Sequence, residues 1–230
     1  MSVVLDAVTV EADGPSGPAV LLDAVSCELA APTTAVIGEN GSGKSTLTKA
    51  VAGLVRPASG TITVDGVPTV GHAKRLRRSV GFVFSNPGAQ AIMPTVREDV
   101  ALSLRGLGLG RAEAAARVDA ALAEHGLTEL AERACQTLSS GQMQRLALCS
   151  VLVRRPRLVI ADEPTSLLDA RHRRIIADRL LAPAAPQVLL VTHDMDLAAR
   201  CEEAILVKDG RLHARGRPEC VIAAYEETLA

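Results

Sequence analysis

A chain of 230 residues with 48% hydrophobic residues is long enough to bury one large core, and its net charge of −1 gives no electrostatic footprint for nucleic acid. Phe82, Phe84 and Tyr225 are its only aromatic residues, so it has no platform on which bases could stack. The cysteines at 27, 135, 149, 201 and 220 are odd in number and lack C-x-x-C spacing, which predicts reduced thiols in a cytosolic protein. Met1–Asp6 carries no signal-peptide pattern, and no apolar run approaches the ~18 residues of a spanning helix, so any work at a membrane is expected to go through another subunit.

Val3 to Val10 alternates as a strand. Asp13-Gly14-Pro15-Ser16-Gly17-Pro18 is a turn cluster, and Ala19–Leu22 is expected to return from it as a hairpin, with another strand over Val25–Leu29. Thr34–Ile37 reads as a short buried strand and Ser45–Ala52 as the first turns of a helix ending near Gly53. Thr61–Val64 is a strand closed by Asp65-Gly66, a hairpin signal. A short basic helix, His72–Arg78, leads into a buried strand over Val80–Phe84. From Thr95 to about Arg133 the pattern is helical. Thr95 and Glu98 predict a capping box, Gly106–Gly110 breaks the chain, and Arg111–His125 gathers Val118, Ala121 and Leu122 on one face with Gly126 just past its end. Strand and helix then alternate: a strand over Arg157–Ala161, a helix over about Ala170–Leu181, a strand over Gln187–Val191, and a helix from Met195. A closing hairpin over Ala204–Val207 and Arg211–Arg215 precedes a last helix over Pro218–Leu229. This predicts an α/β fold, a largely parallel sheet with helices on both faces and a helical insertion. The basic clusters Arg154-Arg155 and Arg171-His172-Arg173-Arg174 read as solvated helix faces.

Gly38-Glu39-Asn40-Gly41-Ser42-Gly43-Lys44-Ser45-Thr46 fits G-x-x-x-x-G-K-[ST], the phosphate loop of nucleotide triphosphatases. A strand feeding a glycine loop and then a helix start aims backbone N–H groups and the helix dipole at one point, which favours phosphate. Lys44 is placed to reach the outer phosphates and the Ser45 hydroxyl to ligate Mg2+. The apolar strand Leu158–Ala161 ends in Asp162 and Glu163, at the sheet edge where α/β ligands bind. Asp162 suits Mg2+, through water, and Glu163 is the candidate general base for an attacking water. His193, one strand later, is placed to contact a γ-phosphate or steady that water. His72, His125, His172 and His213 have no such context and are expected at the surface or in packing. Ser139, Ser140, Gly141 and Gln142 open a helix and, taken locally, read as a helix cap able to meet an anion.

The ordered set Gly38–Thr46, Leu138–Gln142, Leu158–Glu163, Ser166-Leu167-Leu168-Asp169 and His193 resembles an ABC-type ATPase subunit over essentially the whole chain. The resemblance implies an ABC-type P-loop ATPase fold with a mixed, largely parallel sheet core, an antiparallel β subdomain and an α-helical subdomain. Residues 1–85 and 138–230 would form the core with its β subdomain, and about 86–137 the helical subdomain. It implies ATP and Mg2+, and a head-to-tail dimer with a second ATPase subunit, identical or not. Each ATP would lie between Gly38–Thr46 of one subunit and Ser139–Gln142 of the other, with Ser166–Asp169 along the interface. The helical subdomain would grip a transmembrane scaffold subunit working with a substrate-binding membrane subunit, which places the protein peripherally on the cytoplasmic face of the membrane.

Three features depart from the family pattern. Ser140 stands where the signature usually has glycine, and is expected to be tolerated if its backbone is unstrained. Ser85 stands where a coupling glutamine is usual; Gln90 or an ordered water are the substitutes considered. Val10-Glu11-Ala12 offers no aromatic for adenine, whose stacking is worth roughly 1–3 kcal/mol; Tyr placed at Val10, Glu11 or Ala12 is therefore expected to tighten ATP at one of the three. Phe82–Gln90 and Met93–Val100 resemble a stretch of energy-coupling-factor transporter ATPases, which drive uptake of vitamins and of cobalt or nickel ions. The short stretch after the closing hairpin resembles the biotin type. The alternatives are a cobalt or nickel system, an ordinary importer or exporter ATPase, a weakly active regulatory subunit, and a soluble ATPase of DNA repair or translation.

Overall fold

The alternating start forms β1 (Val3–Gly14) and β2 (Gly17–Leu29), an antiparallel pair, in a computed structural model that describes residues 1–14, 17–166, 168–182 and 185–229. Pro15 and Ser16 of the expected turn lie outside the described residues. Where two strands were expected after that turn there is one. Its register shifts absorb the irregular stretch: Val10 faces Leu22 while Glu11 faces Val20, so Leu21 is an extra, bulged residue. Ala24, at φ +47°, completes the bend, and its N–H donates to the Thr9 hydroxyl at 3.2 Å.

β3 (Thr33–Ile37) then leads through the glycine loop into α1 (Lys44–Val51). β4 (Ser59–Val64) and the short β5 (Val67–Pro68) make the hairpin that Asp65-Gly66 predicts. α2 (Ala73–Ser79), with His72 as its N-cap residue, precedes β6 (Val80–Val83). Phe84, expected inside that strand, already leaves the sheet, and its N–H donates to Gln90 Oε1 at 3.2 Å. α3 (Val96–Ser103) carries the predicted capping box between Thr95 and Glu98. α4 (Arg111–Glu124) buries Val118, Ala121 and Leu122 as its spacing requires. α5 (Ser140–Leu152), β7 (Leu158–Asp162), α6 (Ala170–Leu180), β8 (Gln187–Val191), α7 (Met195–Ala198), β9 (Glu203–Lys208), β10 (Arg211–Gly216) and α8 (Pro218–Glu227) complete the chain.

The strands form two sheets. One is antiparallel, in the order β2-β1-β4-β5; the other runs β10-β9-β3-β8-β7-β6, parallel except for the β9–β10 hairpin. The parallel strands are buried on both faces, so alternate residues enter different cores. Leu158, Ile160, Leu189 and Val191 pack with α1 and the antiparallel sheet. Val159, Ala161, Val188 and Leu190 pack with Ile176, Leu180, Leu197 and Val221 from the helices of the other face. A third core holds the helical insertion together through Val96, Val100, Val118, Leu122 and Leu127. Leu146 and Cys149 of α5 belong to it, while Leu148 of the same helix packs on the sheet. α5 is thus the element that joins the insertion to the core. The five cysteines are free, as expected.

Candidate functional site

β3 ends in the middle of the larger sheet, between β8 and β9, and α1 starts at Lys44, so residues 38–43 turn above the carboxyl ends of the parallel strands. Gly38, at φ +142°, runs against β9: a Cβ there would sit 2.1 Å from the Val207 carbonyl oxygen. Lys44 is only 6% exposed, and its Nζ donates to the carbonyl oxygens of Gly38 at 2.8 Å and Glu39 at 2.7 Å. Two of its three protons are used, leaving one for an anion. Burial lowers its pKa, opposed by Glu163, Asp162 and Glu39. The buried Ser42 hydroxyl has no partner among the described residues, as a group that waits for a ligand oxygen would.

β7 delivers the two carboxylates. The Ser45 hydroxyl donates to Asp162 Oδ1 at 3.1 Å, which joins the start of α1 to the end of β7. This pair of hard oxygen donors fits Mg2+. Among the described residues no cluster of three or more His, Cys, Asp or Glu side chains forms a metal cage, so such an ion would complete its shell with phosphate oxygens and water. Glu163 has φ +52°, and its N–H donates to the Val191 carbonyl at 3.0 Å. That turn sets its side chain beside His193, whose Nε2 is 3.2 Å from Glu163 Oε1. The approach is close but not an aligned hydrogen bond, and the buried Oε1 has no other partner among the described residues. Burial pushes the Glu163 carboxyl upward, against the pull of Lys44 and the His193 backbone N–H. Burial and then Lys44 push the His193 imidazole downward, with Asp162 opposing. A neutral imidazole beside a carboxylate of raised basicity can hold and orient a water and take its proton.

Asn40, Gly41, Gly43, Lys44, Ser45, Thr46, Glu163 and His193 line one cavity of about 290 Å³. Leu21 also lines it, a residue that the sequence reading passed over. Its backbone carbonyl abuts Gly43, and the residue, 37% exposed, offers an apolar surface beside the phosphate loop. Only the extra residue of the β2 bulge puts it there, and no local pattern marks that bulge. Val10, by contrast, is fully buried, so it cannot carry a base-stacking aromatic without rebuilding the core; Glu11 and Ala12 are exposed. A larger cavity, about 790 Å³, opens at the other end of the strands, between α4 and the residues preceding β7, and contains none of these groups.

Ser139, Ser140, Gly141 and Gln142 do not reach the cavity. Ser139 and Gln142 form a capping box at the start of α5: the Gln142 N–H donates to Ser139 Oγ at 3.4 Å, and the Ser139 N–H to Gln142 Oε1 at 2.9 Å. Ser140 has no positive φ and is an ordinary first helical residue, so its side chain costs the turn no strain. Ser85 is exposed. Gln90 is held at both ends, accepting from the Phe84 N–H and donating from Nε2 to the Ala147 carbonyl at 3.4 Å, so it must break two hydrogen bonds to act elsewhere. Ser166 turns back, its Oγ donating to the Glu163 carbonyl at 2.8 Å, and Asp169 caps α6; Leu167 lies outside the described residues.

The sequence model of the ABC transporter family matches residues 22–166. The chain belongs to the ABC transporter family. A biotin transport ATP-binding protein from Rhizobium etli is 38% identical over 93% of this chain and 95% of its own length. An energy-coupling factor transporter ATP-binding protein from Lactiplantibacillus plantarum is 43% identical over 80% of this chain and 67% of its own. Among solved structures, cbiO1 of Clostridium perfringens, part of the ABC transporter complex cbiONQ, superposes with a TM-score of 0.83 at 31% identity, covering 98% of this chain and 92% of that one. The dimeric ATP-binding cassette MJ0796, in a post-hydrolysis state bound to ADP and Pi, gives 0.84 at 28% identity, covering 94% and 98%. Like other ABC ATP-binding subunits, the chain is an ATP hydrolase, and its two sheets and helical insertion are those of the family. No helix among the described residues is long and apolar enough to cross a membrane.

Proposed function

We propose that this protein is the ATP-hydrolysing motor subunit of an energy-coupling-factor importer for a micronutrient, with biotin the first substrate to test. The observation that carries the reading is the single cavity that joins Lys44, Ser45, Glu163 and His193, with Asp162 bonded to Ser45. Gly38–Thr46 cradles the triphosphate, Lys44 turns its remaining proton to the outer phosphates, and Leu21 supports the base. Ser45 and Asp162 would hold Mg2+, which supplies charge neutralisation on the phosphates. Glu163 takes the proton of the attacking water, and His193 orients it.

Ser139 and Ser140 are exposed at a capped helix start, and none of Ser139–Gln142 lines its own chain's cavity, which supports the use of this turn by a second copy or a sister subunit arranged head to tail. The helical unit, residues 86–137 with α5, faces a transmembrane scaffold that works with a substrate-binding membrane subunit, and the ATPase sits on the cytoplasmic face. Phe84 and Ile92, the latter 75% exposed, support a docking role at its start. The names of the biotin and energy-coupling factor relatives support the importer class. Cobalt or nickel uptake is the second reading, carried by the resemblance of residues 82–100 to ATPases that serve vitamins and those ions alike. Membrane co-purification decides the substrate: a biotin-binding membrane subunit is expected, and a different ligand in the purified complex would reassign it. For the chemistry, Glu163→Gln should keep ATP binding while phosphate release falls at least about 100-fold; near-normal turnover would remove Glu163 from the base role.

A further inference from the structure

His172 carries a contact that the sequence alone does not assign. It stands in the first turn of α6, where the Asp169 side chain caps the helix: Oδ1 accepts from the His172 backbone N–H at 2.8 Å, and Oδ2 lies 2.8 Å from His172 Nδ1. The imidazole is therefore held in one orientation by its own N-cap residue. The other side of the ring meets Gly141. A Cβ at Gly141 would lie 2.6 Å from His172 Cδ2, 2.8 Å from Cγ and 3.0 Å from Nε2, closer than carbon atoms pack, and the ring cannot swing away without leaving Asp169. Gly141 is itself buried and has no positive φ, so nothing in its own backbone calls for glycine; the demand comes from His172.

We propose that His172 is a positioning residue that fixes the Ser139–Gln142 turn against Asp169. The proposal rests on the reading that this turn completes the nucleotide site of a second subunit. It gives the imidazole a stated task. One edge is pinned by the carboxylate at the start of α6, and the other face sets how far the start of α5 stands out from the core. Asp169 follows Glu163 closely in the chain, and Ser166 between them folds back onto the Glu163 carbonyl. The part of the molecule offered to the partner is therefore seated on the loop that leaves its own hydrolytic carboxylate. Arg171, Arg173 and Arg174 are the exposed remainder of the basic cluster, and Arg173 pairs with Asp194 at 3.4 Å, whereas His172 is partly buried against Gly141 of α5.

The test measures dimerisation by analytical ultracentrifugation in a full-length Glu163→Gln background with ATP and Mg2+, beside the ATP affinity of the dilute subunit. His172→Ala is expected to weaken dimerisation about tenfold and leave ATP affinity within twofold, because the phosphate loop does not touch it. His172→Gln keeps a donor for Asp169 and is expected to stay within about threefold of the parent, which separates positioning from folding. Gly141→Ala is expected to weaken dimerisation by its clash with the ring, and the double variant to be no weaker than His172→Ala alone. A His172→Ala dimer within twofold of the parent, or additive losses in the double variant, would overturn the proposal. If the Glu163→Gln parent itself stays monomeric with ATP, the composite-site reading fails, an outcome distinct from the other two.

Discussion

Glu163 holds a backbone conformation that costs a non-glycine residue of order 1–3 kcal/mol, and it keeps it because its N–H closes onto the β8 carbonyl of Val191. The same turn half-buries the side chain beside His193, and burial raises its basicity. Strain, burial and the neighbouring imidazole thus act on one carboxylate, while Asp162, one residue earlier, is committed to Ser45. The phosphate end of the site is strongly built; the base end is not. Leu21 is the apolar side chain that flanks the phosphate loop from β2, and aliphatic contact is a weaker support than a stacked ring. Leu21→Ser should weaken ATP about three- to tenfold and leave inorganic tripolyphosphate unchanged, whereas Leu21→Phe should tighten ATP; calorimetric titration of both ligands checks this. Equal losses for ATP and tripolyphosphate would place Leu21 in the scaffold of the loop instead. Tyr at Glu11 or Ala12 remains a route to tighter ATP, and the burial of Val10 closes the third.

At the scale of elements, residues 84–99 show how a motif can be structural and functional together. Asp99 is buried, and its Oδ1 accepts from the N–H groups of Ile92 at 2.8 Å and Met93 at 3.2 Å, while Oδ2 accepts from the Ser150 hydroxyl of α5 at 3.0 Å. One side chain therefore shapes the exposed loop that carries Ile92 and ties it to the helix that starts with Ser139–Gln142. Asp99→Ala leaves the buried Ser150 hydroxyl and two backbone N–H groups without their acceptor and should cost about 1–3 kcal/mol, read by urea denaturation. The strands and helices were legible in the sequence because their periods are strong: alternation in β1, continuous apolar runs in β3, β7 and β8, helical spacing in α4. The join in β2 was not. A bulge conserves alternation on both sides and hides the one residue it inserts, which is Leu21. The site was legible wherever a backbone device demands particular residues in sequence, as in Gly38–Thr46. It was illegible where two distant segments meet, as at His172 and Gly141, or where a side chain such as Gln90 spends its amide on the backbone of Phe84, just past β6, and of Ala147 in α5.

On the proposed head-to-tail arrangement the whole molecule would present half of each of two sites. The larger sheet ends in the phosphate loop, Asp162, Glu163 and His193, and the exposed turn at the start of α5 lies away from all of them. Such a subunit would need another to hydrolyse ATP, and the interface between them would be where nucleotide energy becomes motion. The helical insertion, seated on α5, would carry that motion to the membrane scaffold. If each site is shared, mixing two differently crippled subunits restores it. Lys44→Ala spoils one half and Ser139→Arg the other, and each purified alone should release almost no phosphate. Mixed in equal amounts, half of the dimers pair the two variants and contain one site with both halves intact, so phosphate release should recover to about a quarter of the unmodified rate. A mixture that stays as inactive as its components would contradict the shared site.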